Sequence, residues 1–242
     1  MSNIDVKAHG ETPCKETSAR DGNPPICGTD TAPVSAATEE CSASSTFWDS
    51  LWETGPWTGY AATALSRVMF YPSLAWNIAR TTVQPDYRWY TEIVENLLLG
   101  ALPFHSMLDD FKQQGIQAVV TLNEGFELFV TTEHYEALGI QHLHIPTIDF
   151  LFAPNVEDMH RAVDFIQGNL SGGRRTYVHC KAGRGRSATV VVCFLVKHRG
   201  MAPEEALLFV RERRPQICLA PGQWAAVLEF RDSCAGPAAA SG

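Results

Sequence analysis

Ten residues, Val178 to Ser187, read V-H-C-K-A-G-R-G-R-S and constrain the fold more than any other stretch. Thr176–His179, entering them, reads as a strand. Ser187–His198, leaving them, is almost wholly apolar and closes at Gly200, as a buried central helix does. Lys181 to Arg186 must therefore turn the chain from strand to helix, and Gly183 and Gly185 permit the backbone angles that turn requires. Such a loop can aim successive N–H groups inward as an anion nest. The helix N-terminus adds the positive end of its dipole at the same point. A tetrahedral phosphate dianion fits that arrangement.

The side chains extend the reading from binding to chemistry. Lys181, Ala182, Gly183, Arg184, Gly185 and Arg186 form the candidate phosphate cradle, with the Arg186 fork gripping two oxygens at once. Cys180 stands at the entrance, where the same amides and dipole favour a thiolate that can attack phosphorus in line. Ser187 can hydrogen-bond that thiolate as it departs. His179 is expected to orient the cysteine backbone rather than act as a base. A nucleotide P-loop is the wrong template, because G-x-x-x-x-G-K-[ST] is absent. A buried structural cysteine would leave the spacing of the glycines, arginine and serine unexplained. An alkoxide leaving group needs a proton. Asp149 follows the strand read over His142–Ile145, and loops at the C-terminal ends of parallel strands converge on one crevice. Asp149 is therefore the candidate general acid, with a solvated or capping loop aspartate as the alternative. Phe150-Leu151-Phe152 beside it lines the mouth or belongs to the core.

Alternating patterns surround this unit. Strands are expected at Asn96–Leu102, Ala118–Leu122 and His142–Ile145. Helices are expected at Ser106–Gln114 with Ser106 as N-cap, at Glu133–Leu138, from Val156 to Leu170, from Pro203, and at Pro221–Arg231. The order implies an α/β fold with a largely parallel central sheet flanked by helices. Residues 86–234 make that domain. Residues 1–46 read as a disordered acidic tail and 235–242 as a second disordered tail.

Of the 27 acids, nine lie at or before Glu53 against three bases, so the net charge of −8 belongs mainly to the tail. No basic surface for nucleic acid is implied. The seven cysteines lack zinc-ligand spacing, and neither metal nor cofactor is expected. Residues 47–85 are aromatic-rich, with no charge between Glu53 and Arg67 or between Arg67 and Arg80. They read as a helical segment that either lies in a membrane interface or packs on the domain itself. The chain is expected to act as a monomer.

His179–Ser187 matches H-C-x5-R-S, and the chain resembles the cysteine-based protein tyrosine and dual-specificity phosphatases. The segments Asn96–Phe104, Thr121–Glu127, Arg214–Trp224, Phe70-Tyr71-Pro72 and Ile145–Pro154 narrow the likeness to the mitochondrial PTPMT family, plant and algal members above all. The resemblance implies hydrolysis of phosphatidylglycerophosphate to phosphatidylglycerol on the way to cardiolipin, through a phosphocysteine. Phosphoinositides and phosphoproteins are the alternative substrates. It also implies a mitochondrial enzyme peripheral to the inner membrane, although the acidic start is unlike an ordinary presequence, and plastid or cytoplasm are the alternatives. Lys181 and Arg184 exceed what catalysis asks of one arginine. They would meet a second acidic group on a lipid, or serve solubility alone. The family's E-x-Y-E cluster reads Glu124-Gly125-Phe126-Glu127 here, which leaves the two glutamates as candidate site-wall residues.

Overall fold

The computed structural model describes residues 57–84, 86–149 and 152–235. The tail 1–46, the first ten residues of the aromatic segment, Phe150, Leu151 and the end of the chain from position 236 lie outside the described residues. A long helix, α1 (Trp57–Val83), precedes the sheet. Five strands follow: β1 (Tyr90–Val94), β2 (Leu97–Gly100), β3 (Ile116–Thr121), β4 (Gln141–His144) and β5 (Arg175–His179). Between and after them run α2 (Leu108–Gln113), α3 (Thr132–Ala137), α4 (Val156–Ser171), α5 (Arg186–Arg199), α6 (Pro203–Arg213) and α7 (Pro221–Ala235).

The sheet order is β1-β2-β5-β3-β4, parallel throughout except for the antiparallel pair β1–β2. Strand β5, which leads into the glycine-rich loop, therefore lies at the centre. Side chains alternate across the pleat. Leu97, Leu99, Val120 and Val178 face the larger core, built with α4, α5, α6 and α7. Leu98, Val119 and Tyr177 face a smaller core with Phe111 of α2 and Tyr135 of α3. Arg186 to Leu195 are all buried, so the first ten residues of α5 are covered on every side. In register, Gly100 pairs with His179, as does Thr121, while Thr121 also pairs with His144. The C-terminal ends of four strands thus open at one edge, and the loop after β5 emerges there.

Two local expectations needed revision, and one strand went unmarked. Ser106 does not cap a helix: it lies inside a 3-10 turn, His105–Met107, and α2 begins only at Leu108 with no side-chain cap. Strand β1 carried no expectation. It joins β2 through Glu95 and Asn96, with Asn96 at φ 65°, a left-handed position that asparagine tolerates in tight hairpins. The last helix runs on to Ala235, into the first residue of the predicted tail. Elsewhere the punctuation is as read: α3 and α5 end before Gly139 and Gly200, both left-handed, and Pro203 opens α6 ahead of Glu204 and Glu205. Asn155, unmarked in advance, caps α4 by accepting the Asp158 N–H at 2.8 Å.

Candidate active site

The strand end of β5 and the first turn of α5 set Cys180 and Arg186 at opposite ends of a tight loop. Gly183 sits at φ +65°, and a Cβ there would stand 2.4 Å from the carbonyl oxygen of Gly100. Gly185 is close-packed against a side chain instead. Its φ is −111°, but an added Cβ would meet Gln223 Oε1 at 2.7 Å. Arg214, buried at the end of α6, holds the loop from behind. Its Nε donates to Gly183 O at 2.8 Å and its Nη2 to Ala182 O at 3.3 Å. The same guanidinium reaches Arg88 O, Trp89 O and Thr91 Oγ1. Tying the loop carbonyls to one side leaves the peptide N–H groups to face the other, which is the condition for an anion nest.

Cys180 is 3% exposed, and its Sγ accepts the Ser187 hydroxyl at 3.2 Å. Burial pushes the thiol up. The Arg186 charge and hydrogen bonds from the Ser187 hydroxyl and backbone outweigh that, so the thiol sits below its ordinary value. His179 is buried, and burial chiefly, then the neighbouring His142, pushes it down to about 3. Its ring is therefore neutral. Its Nε2 shares a 2.8 Å hydrogen bond with Thr121 Oγ1, which pins the end of β5 to β3. Thr121 Oγ1 in turn meets His142 Nε2 at 2.8 Å.

Arg186 is 1% exposed, and its contacts divide by edge. The two Nη atoms face Glu127, at 2.7 and 3.2 Å. Nη1 also donates to Thr147 O at 2.7 Å and Leu122 O at 3.2 Å. Along the other edge, Nη2 meets Asp149 Oδ1 at 2.8 Å, and the buried Nε has no hydrogen-bond partner among the described residues. Asp149 also pairs with Lys181. The four groups form a nearly dry quartet of two cations and two anions.

Cys180, Lys181, Arg186, Ser187, Asp149 and Glu127 converge here, whereas Arg184 and Glu124 do not, and Phe150 and Leu151 lie outside the described residues. Arg184 is half-buried and turns to Gln216 O at 2.8 Å. Lys181 does not project as a spare cation: it is buried against Asp149 and lies 6.0 Å from the Phe70 ring of α1. Of the two glutamates, Glu127 is the buried partner of Arg186, while Glu124 is only partly covered and caps the start of a 3-10 turn, Gly125–Glu127. Arg214 and Gln223 were missed. Gln223 spans the loop at Gly185 and the backbone of Phe152, where Phe152 O accepts its Nε2 at 3.0 Å. Among the described residues, no group of three or more His, Cys, Asp or Glu converges as metal ligands do.

A nucleophile, a forked cation and an aspartate brought to one loop are the parts of a phosphoryl-transfer centre. The family profile "Dual specificity phosphatase, catalytic domain" matches residues 97–233. The chain belongs to this family. The Arabidopsis thaliana phosphatidylglycerophosphate phosphatase PTPMT1 is 47% identical over 165 residues, covering 68% of this chain and 49% of that relative. The chain thus spans about half the length of that plant phosphatase. The rat phosphatidylglycerophosphatase and protein-tyrosine phosphatase 1 is 37% identical over 181 residues, covering 72% of this chain and 94% of that one. A crystal structure of PTPMT1 in complex with PI(5)P shares 33% identity at a TM-score of 0.60, covering 63% of this chain and all of that one. The resemblance to plant PTPMT relatives and the α/β phosphatase fold both hold.

Proposed function

We propose that the chain is a cysteine-dependent phosphomonoester hydrolase that converts phosphatidylglycerophosphate to phosphatidylglycerol, in the biosynthesis of phospholipids such as cardiolipin. The observation that carries this reading is the division of Arg186. One edge is fixed by Glu127, and the other offers an Nε with no partner among the described residues, beside an Nη2 shared with Asp149. A phosphate taking that edge releases Asp149 from Arg186 and adds like charge beside it, which favours the proton Asp149 must hold as general acid. The Cys180 thiolate attacks phosphorus, the P–O bond to the glycerol breaks, and Asp149 gives its proton to the departing alkoxide. Asp149 then takes a proton from water, whose oxygen attacks phosphorus and breaks the P–S bond. The thiolate leaves onto the Ser187 hydroxyl. Glycerol lipid and inorganic phosphate are the products. Lys181 orients Asp149, and Arg184 lies within reach of the rest of the substrate once it leaves Gln216.

The names of the Arabidopsis and rat relatives support the lipid substrate. The PI(5)P complex of a 33% identical protein, and the protein-tyrosine phosphatase in the rat relative's name, favour a second reading: a phosphoinositide or phosphoprotein substrate. Rates measured side by side on phosphatidylglycerophosphate, phosphoinositides and phosphopeptides decide between them. The lipid reading is lost if phosphopeptides are turned over faster. Cys180→Ser abolishes hydrolysis of every one of these substrates; retained activity would remove the thiolate mechanism. The chain works as a monomer, peripheral to the mitochondrial inner membrane. A fluorescent fusion that stays in the cytoplasm or enters plastids would overturn that placement.

A further inference from the structure

Helix α1 contains two arginines, Arg67 and Arg80, and no acidic residue or lysine. Its Ser66, Phe70, Leu74 and Asn77 are buried at i, i+4, i+8 and i+11, which is one helical stripe. That stripe sits on Leu102, Trp89, Phe104 and Phe129, and Asn77 accepts the Tyr87 hydroxyl at 2.9 Å. The opposite face should therefore be polar. Instead Val68, Tyr71, Trp76 and Val83 are 71%, 68%, 67% and 78% exposed, with Met69 and Ile78 also out. From Val68 to Val83 no acid interrupts this face, and Arg67 stands at its edge. No helix among the described residues is long and apolar enough to cross a membrane. Pro72, also exposed, removes the donor for the Val68 carbonyl, which must then find water. Such a face can lie on a bilayer but not sink deep into it.

The face is continuous with the site. Exposed Phe126 packs edge-on against Phe70 at 5.8 Å, and the Arg67 guanidinium lies 5.1 Å from the Phe126 ring centre. The residue after Phe126 is Glu127, the partner of Arg186. The Lys181 ammonium lies 6.0 Å from the Phe70 ring centre.

We propose that the outer face of α1, extended by Phe126, is a docking surface for an anionic lipid bilayer and holds the mouth of the phosphate loop at headgroup depth. Charge selects the occupant. A second copy docked through the same face would bring cationic margins together with no acid on either helix to offset them, whereas anionic headgroups complement Arg67. The surface deepens the lipid-phosphatase reading and rests on it for the substrate, though not for the contact with lipid.

The test uses the full chain with phosphatidylcholine vesicles containing phosphatidylglycerol, and with vesicles of phosphatidylcholine alone. The wild type floats with the anionic vesicles and less with the neutral ones. The double variant Val68→Glu/Trp76→Glu keeps its melting temperature and its hydrolysis of a soluble aryl phosphate. It binds anionic vesicles at least about tenfold more weakly and loses vesicle-borne lipid hydrolysis in proportion. Unchanged vesicle binding by the variant, or none by the wild type, overturns the proposal. So does a wild-type dimer that the variant converts to monomer while neither binds vesicles. Flotation lost in the variant, with no phosphate ester hydrolysed by either protein, would sink the phosphatase reading and leave the docking surface standing.

Discussion

Gly183→Ala puts the loop geometry to a quantitative test. At φ +65° an L side chain costs about 1–2 kcal/mol in backbone conformation alone. The new Cβ would also sit 2.4 Å from Gly100 O and 2.7 Å from Arg214 Nη2, where ordinary contact begins at 3.4 Å. Neither neighbour yields freely. Gly100 is paired into the sheet at the end of β2, and Arg214 is held by five hydrogen bonds that include the carbonyl of Gly183 itself. The loop must therefore shift by about 1 Å, and a displacement of that size costs about 10²-fold in rate. Gly200→Ala is the control: its φ is +67°, but nothing lies within 4 Å of the added Cβ. Urea unfolding should show Gly200→Ala losing about 1–2 kcal/mol, the backbone cost alone, and Gly183→Ala losing more. Only Gly183→Ala should lose about 10²-fold in kcat/KM on an aryl phosphate. If Gly183→Ala unfolds like the control yet turns over at the wild-type rate, the close packing behind the loop does not position the nucleophile.

Four further substitutions read the site. Burial raises the Cys180 thiol, and Arg186 and Ser187 lower it, so Ser187→Ala removes a lowering contribution. The thiol then ionises at higher pH, and the acid limb of the kcat/KM profile moves toward alkali; an unmoved limb refutes the role of the hydroxyl. Asp149→Asn should slow hydrolysis of an alkyl phosphate by about 10²–10⁴-fold and that of an aryl phosphate, whose phenolate leaves without help, far less. Equal losses would remove Asp149 as the acid. Because Lys181 is paired with Asp149, Lys181→Met should slow alkyl and lipid esters alike, whereas Arg184→Ala should slow only the lipid. A Lys181→Met effect confined to the lipid would return Lys181 to the role of a spare substrate contact.

The central unit was legible because its requirements are local. A buried strand, two glycines, a cysteine and an arginine at fixed spacing allow few conformations, and β5, its loop and α5 follow them. The hairpin β1–β2 was not legible: its turn residues, Glu95 and Asn96, lack the glycine that marks most tight hairpins, and β1 alternates too weakly over five residues. Ser106 misled for a related reason, since a serine before an apolar run fits a 3-10 turn as well as an N-cap. In the site, Cys180, Arg186, Ser187 and Asp149 could be named from chemistry carried by one motif and one strand end. Glu127 and Arg214 could not be ranked, because their importance lies in partners 59 and 31 residues away. A sequence also shows charges without saying which are neutralised. Lys181 and Arg184 looked equivalent, and only their burial and partners separate them.

The span of Arg214 bears on where the independent folding unit begins. One side chain ties Ala182 and Gly183 to Arg88, Trp89 and Thr91, so the backbone entering the sheet and the loop that grips phosphate share a fastening. The family profile starts at residue 97, after all three of those N-terminal acceptors. A fragment cut at that boundary would strip β1 from the sheet and leave β2 as a raw edge. It would also strand a buried guanidinium with fewer partners than donors. The smallest self-sufficient piece of this protein must therefore reach back at least to Arg88, and modular shuffling that respected only the shared catalytic segment would have broken it.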